Sequence, residues 1–153
     1  MLRIKIIVAL FIILVILTAC SSNENVELTQ VSIEEAGDVV DFVMNYKQEE
    51  VIAVNELGFN TIESYLVTNN SFYHSLRRHM SDLQSMGTQM ELVDITIEDV
   101  FYDEELTEYH IYVNEIVEVE DFQQQPTIKD DHVNYIVTNK DDRLRIVTIR
   151  SRM

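Results

Sequence analysis

The sequence predicts an α+β domain, with three N-terminal helices packed on an antiparallel sheet. Apolar residues recur at helical spacing from about residue 32 to Gly87, and alternate at strand spacing from there onward. Between the last two β-branched runs stands Asn139-Lys140-Asp141-Asp142, which reads as a hairpin loop. Helices first and consecutive strands afterwards place the helices on one side of the sheet.

Ser32-Ile33-Glu34-Glu35 has the form of a capping box, in which Ser32 accepts from the Glu35 amide and Glu35 reaches back. Ala36, Val39, Val40, Val43, Met44, Val51 and Val54 continue the first helix, and Gly58 stops it. Asn60 with Glu63 starts a shorter second helix carrying Ile62, Tyr65 and Leu66, which ends at Thr68–Asn70. Ser71 caps a third helix, with Phe72, Leu76, Met80 and Leu83 on one stripe, ending near Gly87.

Beyond Gly87 the period becomes two. Residues 91–102 place Val93, Ile95, Ile97 and Phe101 on one face, and residues 108–120 align Ile111, Val113, Val117 and Val119. Residues 132–138 and 144–150 form the closing hairpin. Residues 121–131 read as a longer connection, with a brief strand near Thr127–Lys129.

Ahead of this domain the chain has a different character. Arg3 and Lys5 precede twelve apolar residues, Ile6–Leu17, and the small residues of "LTAC" follow. That is the layout of a secretory signal, and the apolar run is shorter than the roughly twenty residues that span a bilayer. "LTAC" resembles the lipobox of bacterial lipoproteins. The resemblance implies that Cys20, the sole cysteine, carries a diacylglyceryl group and becomes the first residue after cleavage. Two acyl chains would anchor the protein stably, each buried methylene contributing about 0.8 kcal/mol. The organisation expected is a signal peptide at 1–19, a lipidated polar linker at 20–30 and one folded domain at 31–153.

Charge narrows the partners. The chain holds 27 acidic and 11 basic residues. Without residues 1–19 nine basic residues remain against 27 acidic, a net charge near −18. Such a field repels phosphate backbones, so nucleic acid is excluded as a partner. With Cys20 lipidated no disulfide forms within the chain, and the core rests on burial alone.

Residues 42–80 ("FVMNYKQEEVIAVNELGFNTIESYLVTNNSFYHSLRRHM") and 109–119 ("YHIYVNEIVEV") resemble the extracytoplasmic domain of the TcaA family of Gram-positive envelope proteins. There a helix ending in a Gly-aromatic pair leads into a short helix, a third helix, and strands carrying a glutamate. The resemblance covers Phe42 to Arg150 and implies the cone-shaped nuclear-transport-factor-2-like (NTF2-like) fold, with a curved sheet. TcaA proteins carry this domain behind a membrane helix, together with further domains that this sequence does not contain, and are linked to cell-wall antibiotic response.

Enzymes of that fold do isomerase or dehydratase chemistry in the pocket between sheet and helices, which needs an acid or base with a tuned pKa. Glu115 is the candidate, because alternation puts it on the face of Val113 and Val117. An inward carboxylate needs a partner, for which Arg77 or Arg78 is available; a structural acid satisfied in this way is the simpler reading. Tyr65 and Tyr112 are candidate pocket residues beside Glu115 and Arg77.

His74 and His79 lack the spacing that puts two ligands on one helix face, and His110 and His132 have no cysteine nearby, so no metal is expected. The acid clusters at 103–105, 130–131 and 141–142 lack the spaced ligands and central glycine of a calcium loop. No catalytic constellation and no cofactor are expected.

The function expected is a non-catalytic binding or accessory lipoprotein on the outer face of a bacterial cytoplasmic membrane. It would meet an envelope protein, a peptide, a wall component or a second copy of itself. The competing expectation is a small-molecule sensor, or an isomerase- or dehydratase-like enzyme using Glu115.

Overall fold

The computed structural model describes residues 27–122 and 124–152. The signal segment 1–19, Cys20 and residues 21–26 of the expected linker lie outside the described residues.

The first helix, α1, spans Gly37–Ile52. Ser32 does accept from the Glu35 amide at 3.2 Å, but this closes a turn ahead of the helix, whose N-cap is Ala36. Val39, Val43, Tyr46 and Lys47 form the buried stripe of α1. Past Ile52 the backbone widens into a π turn, Ala53–Leu57, closed by the Gly58 amide on the Ala53 carbonyl at 2.8 Å. Gly58 then ends the helix with φ 77° and ψ 176°.

The expected second helix is corrected: the described residues hold two α-helices. Residues 59–65 form two 3₁₀ turns, Phe59–Thr61 and Glu63–Tyr65. The apolar spacing is real, since Ile62 and Leu66 are buried. A 3₁₀ turn advances about 2 Å per residue against 1.5 Å in an α-helix. The extended geometry carries the chain to the edge of the sheet, where Leu66 bridges Ile146 and the Val67 amide donates to the Ile146 carbonyl at 2.9 Å. The next helix, α2, spans Ser71–Ser85. Its cap is Asn70 rather than Ser71: the Asn70 side chain accepts from the Tyr73 amide at 2.7 Å and donates to the Val147 carbonyl at 2.9 Å. One residue thus caps α2 and fixes it to the sheet.

The sheet has five antiparallel strands in sequential order: β1 Leu28–Val31, β2 Gln89–Asp103, β3 Glu108–Glu120, β4 Thr127–Lys140 and β5 Arg143–Ser151. β1 takes in the last residues assigned to the linker, pairing Leu28 with Asp103 and Val31 with Val100. β4 is one long strand, because β3 supplies a partner at every position from Glu108↔Thr138 to Val119↔Thr127. The connection expected over 121–131 therefore shortens to 121–126.

Register divides the sheet into a face covered by the helices and a helix-free face. Ile111, Val113, Glu115, Val117 and Val119 of β3 turn toward the helices, and Tyr135 lies opposite Ile111. In β2 two bulges, at Leu92/Asp94 and Ile97/Asp99, shift the alternation. Val93 is left 54% exposed at the first bulge. After the second, Val100 is the inward residue and Phe101 turns to the helix-free face, against the expected common face.

Candidate functional site

Between α1, α2 and the inner faces of β3 and β4 lies a cavity of about 180 Å³. Val54, Leu76, Met80, Leu83, Met90, Val117 and Val119 give it apolar walls. Lys47, Glu50 and Glu115 form its polar floor, and the exposed His79, Lys129 and Asp131 stand toward solvent.

The floor is an ionic network. Lys47 Nζ lies 2.7 Å from Glu115 Oε2 and 2.9 Å from Glu50 Oε2, so one ammonium bridges two carboxylates. The Tyr135 hydroxyl donates to Glu115 Oε1, and the Tyr46 hydroxyl donates to Glu50 Oε1 at 3.1 Å. Each carboxylate therefore has both oxygens engaged, which is what burial of a charge demands. Tyr46 and Tyr135 pack edge to face at 5.9 Å and close the back of the network.

Burial alone would lower the Lys47 pKa, but the fields of Glu50 and Glu115 and their hydrogen bonds outweigh it and raise it above the ordinary lysine value. Burial first, and the neighbouring carboxylates second, push both tyrosines well above theirs. All three groups keep their protons throughout the neutral range. The floor is a fixed arrangement of donors and charges.

The structure brings only Glu115, of the candidate pocket residues, to this cavity. Its ion-pair partner is Lys47 in place of Arg77 or Arg78. Arg77 is exposed on α2, its guanidinium 5.7 Å from the Phe59 ring centre. Arg78 is exposed beside Ser75. Tyr65 lies behind the network, 5.2 Å from Phe42 and 5.7 Å from Tyr46 between ring centres. Tyr112 is on the helix-free face, with Phe101 at 5.1 Å and the Arg152 guanidinium at 4.1 Å. Lys47, Glu50 and Tyr135 are the site residues that sequence reasoning missed. A signal existed: Val43, Lys47, Glu50 and Val54 fall at helical spacing, so the apolar stripe of α1 is interrupted at core positions by a Lys and a Glu. Among the described residues no group of three or more His, Cys, Asp or Glu side chains is placed to hold a metal ion.

Helices packed on one face of a single antiparallel sheet, with a pocket between them, define an NTF2-like domain. The sequence matches the model of the TcaA protein NTF2-like domain over residues 35–150, and the chain belongs to that family. An uncharacterized protein of Alkalihalophilus pseudofirmus is 42% identical over 140 residues, covering 92% of this chain and 90% of that one. Among solved structures, the intermembrane space region of the chloroplast protein ARC6 is similar, with a TM-score of 0.63. That likeness covers 76% of this chain and 95% of that one at 9% sequence identity, a likeness of fold alone.

Proposed function

We propose that the chain is a lipid-anchored lipoprotein of the bacterial envelope whose NTF2-like domain is a binding or accessory module acting outside the cytoplasmic membrane. Membership of the TcaA domain family supports the extracytoplasmic setting and directs the role toward the cell-wall or antibiotic response. "LTAC", with the basic and apolar segments before it, supports the anchor at Cys20. The observation that carries the binding role is the engagement of both Glu115 oxygens, by Tyr135 and by Lys47. A general base must be free to approach substrate and exchange its proton, whereas this carboxylate is held between Tyr135 and Lys47 and ties α1 to the sheet.

The test is metabolic labelling of cells with radioactive palmitate, comparing wild type and Cys20→Ser, with crosslinking in intact cells. The wild type should take up label and retain its crosslinked partners in the membrane fraction, and the variant should do neither. Label on both copies would remove the anchor from this reading.

The sensor reading is favoured by one observation, the cavity itself. Its enzymatic version assigns Glu115 as the base and would require that Glu115→Gln abolish a turnover the wild type performs.

A further inference from the structure

We infer that the cavity is a binding site for a small amphiphile bearing an ammonium group, with the charged head between Glu50, Glu115 and Asp131 and the apolar part against Leu76, Met80 and Leu83. This deepens the binding-module reading by naming a ligand class, and rests on it. Two features of the cavity wall point there independently, its charge count and its shape.

Charge comes first. Three carboxylates line the cavity, from Glu50, Glu115 and Asp131, against two ammonium groups, from Lys47 and Lys129. Lys47 is already shared between Glu50 and Glu115. Asp131 has no ion-pair partner among the described residues. It stands directly across from Glu115 in the β3–β4 register, on the same face. Like charges opposite one another in an antiparallel pair are unfavourable. Here Glu115 is only 5% exposed, and the one Lys47 ammonium it shares with Glu50 offsets just part of the charge of the two carboxylates, so part of that repulsion remains. A cation beside Asp131 and Glu115 removes that repulsion, whereas an anion adds to it. Every carboxylate oxygen in the network has accepted one hydrogen bond and retains a second lone pair for an ammonium donor. The acid surface of the chain, net −16 overall, raises the local concentration of cations in the same direction.

Size and wall chemistry supply the rest. A volume of about 180 Å³ is below the roughly 300 Å³ at which drug-sized sites begin. It exceeds the ~150 Å³ apolar cavity that accommodates benzene. The occupant is therefore a compact body of about that size. Seven apolar side chains face the space. A purely polar ion such as ammonium itself leaves that wall without contact.

Isothermal titration of the full-length protein in detergent tests this with hexylammonium, hexanol and hexanoate, three probes of one chain length and three charges. Micelle blanks are subtracted from each. Hexylammonium should bind saturably, while hexanol and hexanoate should bind at least roughly tenfold more weakly, since each lacks a charge-assisted donor. Asp131→Asn should weaken hexylammonium by a similar factor and leave hexanol unchanged. Leu83→Phe, which puts a ring into the apolar half from a partly buried position, should abolish binding of hexylammonium.

Absence of hexylammonium binding, equal binding of hexanol, or preference for hexanoate would each overturn the assignment. So would undiminished binding to Leu83→Phe, which would move the site out of the cavity. Palmitate labelling at Cys20 is unaffected by any of these outcomes, so failure of the ligand and failure of the anchor are read separately.

Discussion

Lys47 on α1 and Glu115 on β3 meet at 2.7 Å in the interior, joining the longest helix to the centre of the sheet. Only 8% of the Lys47 side chain and 6% of that of Glu115 reach solvent. Replacing such a pair together is often tolerated, but removing one member leaves a buried charge uncompensated. Lys47→Met should lower the unfolding free energy by about 3–5 kcal/mol in urea denaturation. Adding Glu115→Gln to it should recover part of the loss, because the neutral amide still accepts from Tyr135. A double variant no more stable than Lys47→Met would mean that the charge of Glu115 costs nothing at this depth.

Tyr135 bears on the same carboxylate from the other side. Tyr135→Phe keeps the ring against Tyr46 and deletes the donor to Glu115 Oε1. A buried acceptor stripped of its partner costs about 1–3 kcal/mol, with the upper end expected for a charged group. Chemical denaturation gives the value, and a change below about 0.5 kcal/mol, the ordinary size for surface substitutions, would show that the oxygen finds another donor.

Gly58 offers a separate test of backbone strain. Its φ of 77° with ψ of 176° is a conformation open essentially to glycine alone. An added Cβ would find room, its nearest neighbour being the Gln84 side chain at 3.5 Å. Gly58→Ala should therefore cost about 1–3 kcal/mol through the backbone alone. Gln84→Ala combined with Gly58→Ala should not relieve it; relief would indicate a steric origin instead.

These residues show what the sequence made legible. The switch from helical to alternating spacing at Gly87, the stop at Gly58 and the hairpin after Lys140 are local features, and the fold class followed from them. The spacing of Ile62 and Leu66 predicts a helix where 3₁₀ turns form, because the pairing of Leu66 with Ile146 that draws the chain out is distant in sequence. Val93 and Phe101 leave the face that alternation predicts, because a bulge is set by partner-strand register, which alternation along one strand does not contain. Glu115 is legible as inward from alternation. Its partner is not, because Lys47 lies on α1, far away in sequence, and a lysine within an apolar stripe does not show which carboxylate it meets.

The N-terminal boundary is a further consequence of long-range pairing. Residues 28–31, Leu-Thr-Gln-Val, are too short a run to show a strand period, yet they complete the sheet against residues 100–103. A fragment beginning at Val31 should be less stable than one beginning at Glu27, by on the order of 1 kcal/mol for each ladder hydrogen bond lost. Thermal melts of the two fragments decide this, and coincident melts would place β1 outside the cooperative unit.

Acid sensitivity should arise on the helix-free face, at His110. Burial pushes the His110 pKa below its ordinary 6.5, Arg150 adds to that lowering, and Asp103 opposes it without reversing it. Asn134 Nδ2 lies 3.2 Å from His110 Nδ1, and His110 Nε2 is buried without a hydrogen-bond partner. The imidazolium carries an N–H at both ring positions, and the one at Nε2 finds no acceptor there. The folded state thus binds this proton less readily than the unfolded chain. Between the lowered folded value and 6.5 the unfolded state carries more protons, so stability rises with pH across that window. The contribution of His110 is complete above pH 6.5 and is lost as the pH falls through the window. Urea midpoints of the wild type should drop on acidification there, and His110→Gln, which cannot ionise, should flatten the part of the drop due to this residue. Parallel midpoint curves for the two proteins would assign the acid sensitivity to other groups.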